Sequence, residues 1–281
     1  MSLVVLSHFQ VQPLFAARQA GQQAATISPD LGLSSMQVVV GPDGVYLPDS
    51  RRLTWEELAV IRDSERACFR VEGDRLYKIQ FFSELTNQVY SLMPTHKAPT
   101  MLISGISMHR FKGIDPHEDT LRKIKSIAPL TGRVLDTATG LGYTAIQAAK
   151  TAESVTSIEL DPTALEVARL NPWSQALFDN PKISQIVGDS FEEIQRLGDA
   201  CFTRIIHDPP VFKLAGDLYS GEFYSQLFRL LRRGGKLFHY VGDPESKSGR
   251  VITKGVARRL KDAGFSRVMS RPAAFGVVAY K

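Results

Sequence analysis

Four short segments carry the residues that could do chemistry. The first, Val134-Leu135-Asp136-Thr137-Ala138-Thr139-Gly140-Leu141-Gly142-Tyr143-Thr144-Ala145, passes from an apolar stretch ending on an acid, through small residues, into a helical pattern. Glycines let a backbone approach a ligand closely, and a helix N-terminus offers backbone N–H groups. Any tight strand-to-helix turn also favours glycine, so the loop alone says little. Its weight comes from Glu159, 23 residues after Asp136, which closes the next apolar stretch. Nucleotide-binding folds put a carboxylate there to accept hydrogen bonds from ribose hydroxyls. Either acid alone would read as a structural cap, whereas the pair around this loop points to a nucleoside ligand. Val187-Gly188-Asp189-Ser190 and Ile205-Ile206-His207-Asp208-Pro209-Pro210-Val211-Phe212 repeat the pattern of an apolar run closed by an acid.

These segments need a frame that brings strand ends together. Strands are expected at 133–137, 154–159, 183–187, 204–208, 236–240, 266–270 and 275–280, with helices at 117–127, 143–150, 162–170, 191–197, 221–231 and 253–263. Alternation of this kind gives an α/β fold, a Rossmann-like seven-stranded mostly parallel sheet covered on both faces. The link Arg271-Pro272-Ala273 leaves no room for a crossover helix, so the last two strands should pair antiparallel at the edge. Upstream, Gly-Pro-Asp-Gly between 37–40 and 45–47 reads as a hairpin turn. Thr54 with Glu57 reads as a capping box, and 68–71 with 76–82 as a second hairpin around Gly73-Asp74. Residues 1–36, rich in Gln, Ala and Ser, read as partly loose. The expected domains are a small β-rich unit over 1–98 and a larger one over 99–281.

The 281 residues are 43% hydrophobic and 22% charged, which suits a globular protein. No run of 18 apolar residues is present, so no membrane span is expected, and the first residues lack a secretory signal's basic start. Cys68 and Cys201 are too few for a disulfide framework or zinc cluster; no metal is expected, and the cytoplasm is the default location. The net charge of +5 hides an asymmetry: from residue 229 onward thirteen Lys/Arg face three acids, giving +10, against −5 for the remainder. That suggests a polyanionic partner such as RNA, with Arg232, Arg233, Lys247, Arg250, Arg258 and Arg259 as candidate phosphate contacts. The competing view is that these side chains solvate helix faces and form ion pairs.

The loop at 136–142 resembles the first motif of class I S-adenosylmethionine-dependent methyltransferases, with Ala138 replacing the first glycine. Residues 157–162 look like their second motif and 187–190 like their third, in order, and the resemblance extends over 117–281. It implies S-adenosyl-L-methionine as cofactor, held by Asp136, Thr137, Ala138, Gly140, Gly142, Glu159, Leu160, Asp189 and Ser190. It also implies that Glu159 takes the ribose and Asp189 the adenine amine. Asp208-Pro209-Pro210 resembles the motif with which such enzymes address planar nitrogens of bases or side-chain amides. There a carboxylate and a stiffly held carbonyl accept the amine's hydrogens while an aromatic ring stacks on the target. Here Val211 stands at the usual aromatic position and Phe212 follows, a spacing similar to that of some ribosomal RNA methyltransferases. The catalytic set implied is Asp208, Pro209, Pro210 and Phe212.

Other readings compete. Dinucleotide binding wants three glycines and does not suit Ala138-Thr139. Cysteine attack on a pyrimidine needs a thiol at the site, but Cys201 precedes Asp208 by seven residues and Cys68 lies in the other domain. His207 and His109 are possible general bases. Met101-Leu102-Ile103-Ser104-Gly105-Ile106, with 115–121, 157–162 and 221–231, is similar to spermidine synthases, which transfer an aminopropyl group; Gly140-Leu141-Gly142 and Asp208-Pro209-Pro210 do not fit them. A non-catalytic RNA- or protein-binding module is the third class.

Overall fold

Ser7 and Gln10 cap each other reciprocally and start a helix in the segment expected to be loose. The excess of Gln and Ala there masks a buried stripe, Val11, Leu14 and Ala17, which gives the helix its packing face. A computed structural model describes residues 3–73, 75–210 and 215–281. The chain divides into two units, Met1–His117 with Thr163–Gln175, and Glu118–Pro162 with Ala176–Lys281.

The first unit runs β1 (Val4–Leu6), α1 (His8–Gln19), β2 (Ala24–Ile27), β3 (Met36–Val40), β4 (Gly44–Tyr46), β5 (Arg52–Thr54), α2 (Trp55–Arg62), β6 (Phe69–Glu72), β7 (Arg75–Lys78), β8 (Gln80–Ser83), β9 (Gln88–Met93), β10 (Thr100–Ile103) and β11 (Ile106–Ser107). Its strands form three antiparallel sheets, β1-β6-β7, β2-β3-β4-β5 and β8-β9-β10-β11. The Thr54–Glu57 capping box opens α2, and Leu14, Val45, Leu53, Leu58 and Ile61 share one core. The expected strand over 76–82 divides into β7 and β8, which join different sheets. The expected boundary at 98/99 falls inside this unit, because β10 pairs with β9.

The second unit is built from α3 (Pro116–Ile127, its first two residues in the first unit), β12 (Arg133–Asp136), α4 (Tyr143–Ala149), β13 (Ser154–Glu159), α5 (Pro162–Arg169, nearly all in the first unit), β14 (Ile183–Val187), α6 (Ser190–Glu193), β15 (Phe202–His207), α7 (Gly221–Leu230), β16 (Leu231–Tyr240), α8 (Lys247–Asp262), β17 (Arg267–Arg271) and β18 (Gly276–Tyr280). The sheet order is β14-β13-β12-β15-β16-β18-β17. The first five strands are mutually parallel, and β18 runs antiparallel to both β16 and β17, closing the edge as a hairpin. Leu135, Ile158, Ile205 and Leu237 fill the centre with Phe223, Tyr224 and Leu227 of α7.

Two helices differ from expectation for reasons of capping. Asp189 caps a single α turn that continues as a 3₁₀ turn over Ile194–Arg196, in place of a helix at 191–197. Ser246 accepts from Gly249 N–H and starts α8 six residues early. Among the described residues no helix is long and apolar enough to cross a membrane.

Candidate active site

Strand order reverses at β12, whose neighbours are β13 on one side and β15 on the other. Connections leave such a point in opposite directions and open a crevice beyond the strands' carboxyl ends, where open α/β sheets bind ligands. Asp136, Glu159, Asp189 and Asp208 all stand at that edge, closing or just following β12, β13, β14 and β15.

Side chains fasten the loop after β12 on three sides. Thr139 Oγ1 lies 2.7 Å from Ser157 Oγ of β13, Thr137 Oγ1 lies 2.7 Å from His207 Nδ1 of β15, and Ser190 Oγ donates to Thr137 O at 2.6 Å. Asp136 is wholly buried, and its Oδ2 accepts from Ser157 Oγ at 3.0 Å and Thr144 Oγ1 at 3.1 Å. Burial raises its carboxyl to about 7 against the pull of those hydroxyls. Asp136, Thr137 and Ser190, expected at the cofactor, therefore spend their side chains on bracing the loop. Gly142 is also a packing requirement: its φ is +75°, and a Cβ there would lie 2.6 Å from Leu177 Cδ2.

The groups left facing outward are of another kind. Gly140, with φ +52°, donates its N–H to Glu159 Oε2 at 2.7 Å, and Asp161 N–H reaches Oε1 at 3.2 Å. Burial holds the Glu159 carboxyl above the usual carboxylate range, although both backbone N–H groups pull it down. Leu160 beside it is 48% exposed. Asp189 is exposed, with Oδ1 accepting from Phe191 N–H at 2.8 Å. A carboxylate oxygen has more than one acceptor site, so both acids can still receive hydroxyl or amine hydrogens. Two acids flanking an apolar surface beside a left-handed glycine suit a nucleoside: Glu159 for its ribose, Leu160 for a base face and Asp189 for an exocyclic amine.

At the end of β15, Asp208 keeps 17% of its side chain exposed, while Pro209 is buried and Pro210 O accepts from Tyr219 Oη at 3.1 Å. Val211 and Phe212 lie outside the described residues. His207, a possible base by sequence, is fully buried: Nε2 donates to Leu218 O at 2.9 Å, so Nδ1 is the acceptor from Thr137. Burial drives its pKa down to about 3; it is a neutral strut, and no proton shuttle. His109 bonds Thr100 Oγ1 in the first unit at 3.0 Å. Cys68 is buried, and Cys201 sits before the first residue of β15, at the opposite end from Asp208.

Sequence reasoning missed Lys123. It is 2% exposed and its Nζ lies 2.6 Å from Asp208 Oδ2 and 3.1 Å from Asp119 Oδ2. Asp119 and Lys123 are four apart on α3, a spacing that pairs side chains on one helix face; the missing signal was that this face is buried. Burial would lower the Lys123 pKa, but the charges of Asp208 and Asp119 outweigh it and raise it. Burial likewise leaves Asp208 above the ordinary carboxylate range despite Lys123.

The basic carboxyl-terminal segment divides. Arg229 bonds Asp199, Leu197 O and Ile194 O; Lys236 and Arg267 lie over the Tyr280 ring; Lys281 donates to Phe228 O. Arg232 and Arg233 stand where β16 begins, at the sheet edge opposite Asp208, and Arg259 has its Nε enclosed. None of these three fits a phosphate contact near the site. Arg250, Lys254, Arg258 and Lys261 are exposed along α8 at spacings of four, four and three, one face of a helix.

A family model described as "Methyltransferase small domain" matches residues 112–259. An uncharacterized protein of Methanocaldococcus jannaschii is 49% identical over 231 residues, covering 82% of this chain and 78% of its own. Polyamine aminopropyltransferase 1 of Hyperthermus butylicus is 30% identical over 135 residues, 45% of this chain and 46% of that one. Among solved structures, a spermidine synthase in complex with the transition state analogue AdoDATO superposes with a TM-score of 0.59 at 19% identity, covering 73% of this chain and 75% of that one. The spermidine synthase from Thermotoga maritima gives 0.57 at 18% identity, covering 73% and 74%. At these identities the likeness is one of fold.

Proposed function

Given that the chain belongs to the methyltransferase small domain family, we propose that it transfers a methyl group from S-adenosyl-L-methionine to a nitrogen of an RNA base. The observation that carries this reading is Asp208-Pro209-Pro210 at the switch-point edge, one to three strands over from the nucleoside-fitting group of Gly140, Glu159, Leu160 and Asp189. When bound, the cofactor supplies an electrophilic methyl group on sulfur. Glu159 and Asp189 would hold its ribose and adenine, and the Ala138–Gly140 backbone would line its amino-acid side.

Asp208 is the residue for the acceptor. An exocyclic amine conjugated to a base is flat and a poor nucleophile. A carboxylate accepting one N–H hydrogen would aim the nitrogen lone pair and take the proton released as the methyl group passes to nitrogen and its sulfur leaves as a neutral thioether. Tyr219, by donating to Pro210 O, stiffens the chain that carries this acid. RNA is favoured as acceptor by the stripe Arg250, Lys254, Arg258 and Lys261. Its helix starts after the carboxyl end of β16, at the same sheet edge as Asp208, with Arg250 in its first turn. Basic side chains along one helix face suit a phosphate backbone.

The second reading, aminopropyl transfer to a polyamine, draws on the aminopropyltransferase relatives and the spermidine synthase fold. Nucleoside mass spectrometry of bulk RNA from cells with and without the gene separates the two. A methylated nucleoside lost with the gene supports base methylation; unchanged RNA with an altered polyamine pool replaces it with aminopropyl transfer.

A further inference from the structure

Lys123 sits in a buried set of charges. Asp119 faces it from α3, Asp208 from the end of β15, and the Tyr240 ring from β16, with Nζ 4.7 Å from the ring centre. The charge of Asp208 in turn acts on Asp136, at the end of β12, and on Tyr219, on the turn before α7. A lysine this enclosed is held only by its partners, and removing it would strand two carboxylates away from water.

The two oxygens of Asp208 are used differently. Oδ2 is bound by Lys123, and Oδ1 has no hydrogen bond among the described residues. The remaining exposure of the side chain is small, so the acid meets an acceptor through little more than one oxygen. Its negative charge is offset in part, at contact distance, by an ammonium that Asp119 shares. A neutral N–H donor still finds an anionic oxygen, whereas an alkylammonium group approaching the same oxygen also meets the repulsion of the Lys123 ammonium bound to that carboxylate.

We propose that Lys123 is a positioning residue that selects the acceptor, making Asp208 a one-oxygen partner for an uncharged planar amine and weakening its attraction for a polyamine. The inference rests on the reading that Asp208 faces the acceptor, but not on the acceptor being RNA. It also assigns a duty to Asp119, which binds Lys123 from the same face of α3 and shares the ammonium with Asp208.

The test compares the wild type with Lys123→Met, Lys123→Arg and the double variant Asp119→Asn/Lys123→Met. The double variant leaves only Asp208 charged and keeps the comparison open if the single variant fails to fold. Putrescine binding is measured by calorimetry, and methylation of bulk RNA is followed against pH. Loss of Lys123 should tighten putrescine binding by about tenfold or more. It should also move the acid limb of the rate profile upward by about one to two pH units, since a nearby cation lowers a carboxyl by that order. Lys123→Arg should restore both. Equal putrescine affinity in wild type and variants overturns the proposal, and so does a uniform loss of activity that Lys123→Arg does not rescue. If the wild type leaves RNA unmethylated while putrescine binding still changes as expected, the RNA reading falls and this inference stands.

Discussion

The backbone N–H of Gly140 donates to Glu159 Oε2 at 2.7 Å, joining the loop after β12 to the last residue of β13. One contact thus sets both the backbone turn and the carboxylate proposed to take the cofactor's ribose. Removing that carboxylate should cost a charge-assisted hydrogen bond, about 1.5–3 kcal/mol. Glu159→Ala should weaken S-adenosylhomocysteine binding by about tenfold or more, and calorimetry reads this directly. Unchanged affinity would take Glu159 out of the site.

Asp136 should make stability depend on pH. Its buried carboxyl titrates near 7 instead of 3.8. A raised folded-state value favours folding fully below the unfolded value, and the advantage is lost as pH rises through the folded one. The loss therefore runs from about pH 4 to just above 7 and amounts to roughly 4 kcal/mol at most. Urea unfolding of wild type and Asp136→Asn at pH 5 and pH 8.5 should show the variant gaining on the wild type at the higher pH. A pH-independent difference would mean that Asp136 ionises as freely as in water.

Asp208→Ala should lower turnover by about a hundredfold or more while S-adenosylhomocysteine binding stays within a few-fold, since the nearest nucleoside-fitting groups belong to other strands. His207→Asn should behave differently, costing stability through the lost bond to Leu218 O. It should leave no missing limb in the pH–rate profile, because His207 stays neutral throughout. A limb that disappears in His207→Asn would restore the histidine as a base.

The sheet was legible because its strands are apolar runs closed by acids, and the order of motifs alone put Asp136, Glu159, Asp189 and Asp208 at successive strand ends. What spacing could not separate was facing from bracing. Thr137 and Ser190 sit between ligand-type residues, yet their hydroxyls turn inward to His207 Nδ1 and Thr137 O. Lys123 was hidden for the opposite reason. An Asp and a Lys four apart look like a solvated helix pair, and only the tertiary approach of β15, 85 positions away, makes them part of the site. The basic segment showed its charge but not its sorting, because pairing with Asp199, Tyr280 and Phe228 is long-range in sequence.

If the stripe on α8 tracks a phosphate backbone, RNA affinity should fall with salt by roughly 0.7–0.9 log units per contact for each log unit of salt. Arg250→Glu, Lys254→Glu and Arg258→Glu together should flatten that slope by about two to three contacts' worth. The pair Arg232→Glu and Arg233→Glu, at the other sheet edge, should leave it unchanged. Filter binding of bulk RNA across a tenfold salt range checks both. An equal effect from the two sets would reduce the stripe to general attraction.

The central claim, methyl transfer to a base nitrogen, is tested most directly by offering the purified protein both donor and acceptor pairs side by side. One reaction holds S-adenosylmethionine with bulk RNA from cells lacking the gene; the other holds decarboxylated S-adenosylmethionine with putrescine. Mass spectrometry of the digested nucleosides and of the polyamines reads the products. The account predicts a nucleoside one methyl group heavier at a ring-attached nitrogen, absent with Asp208→Ala, and no new polyamine. Spermidine formed in the second reaction with unmodified RNA in the first would contradict it.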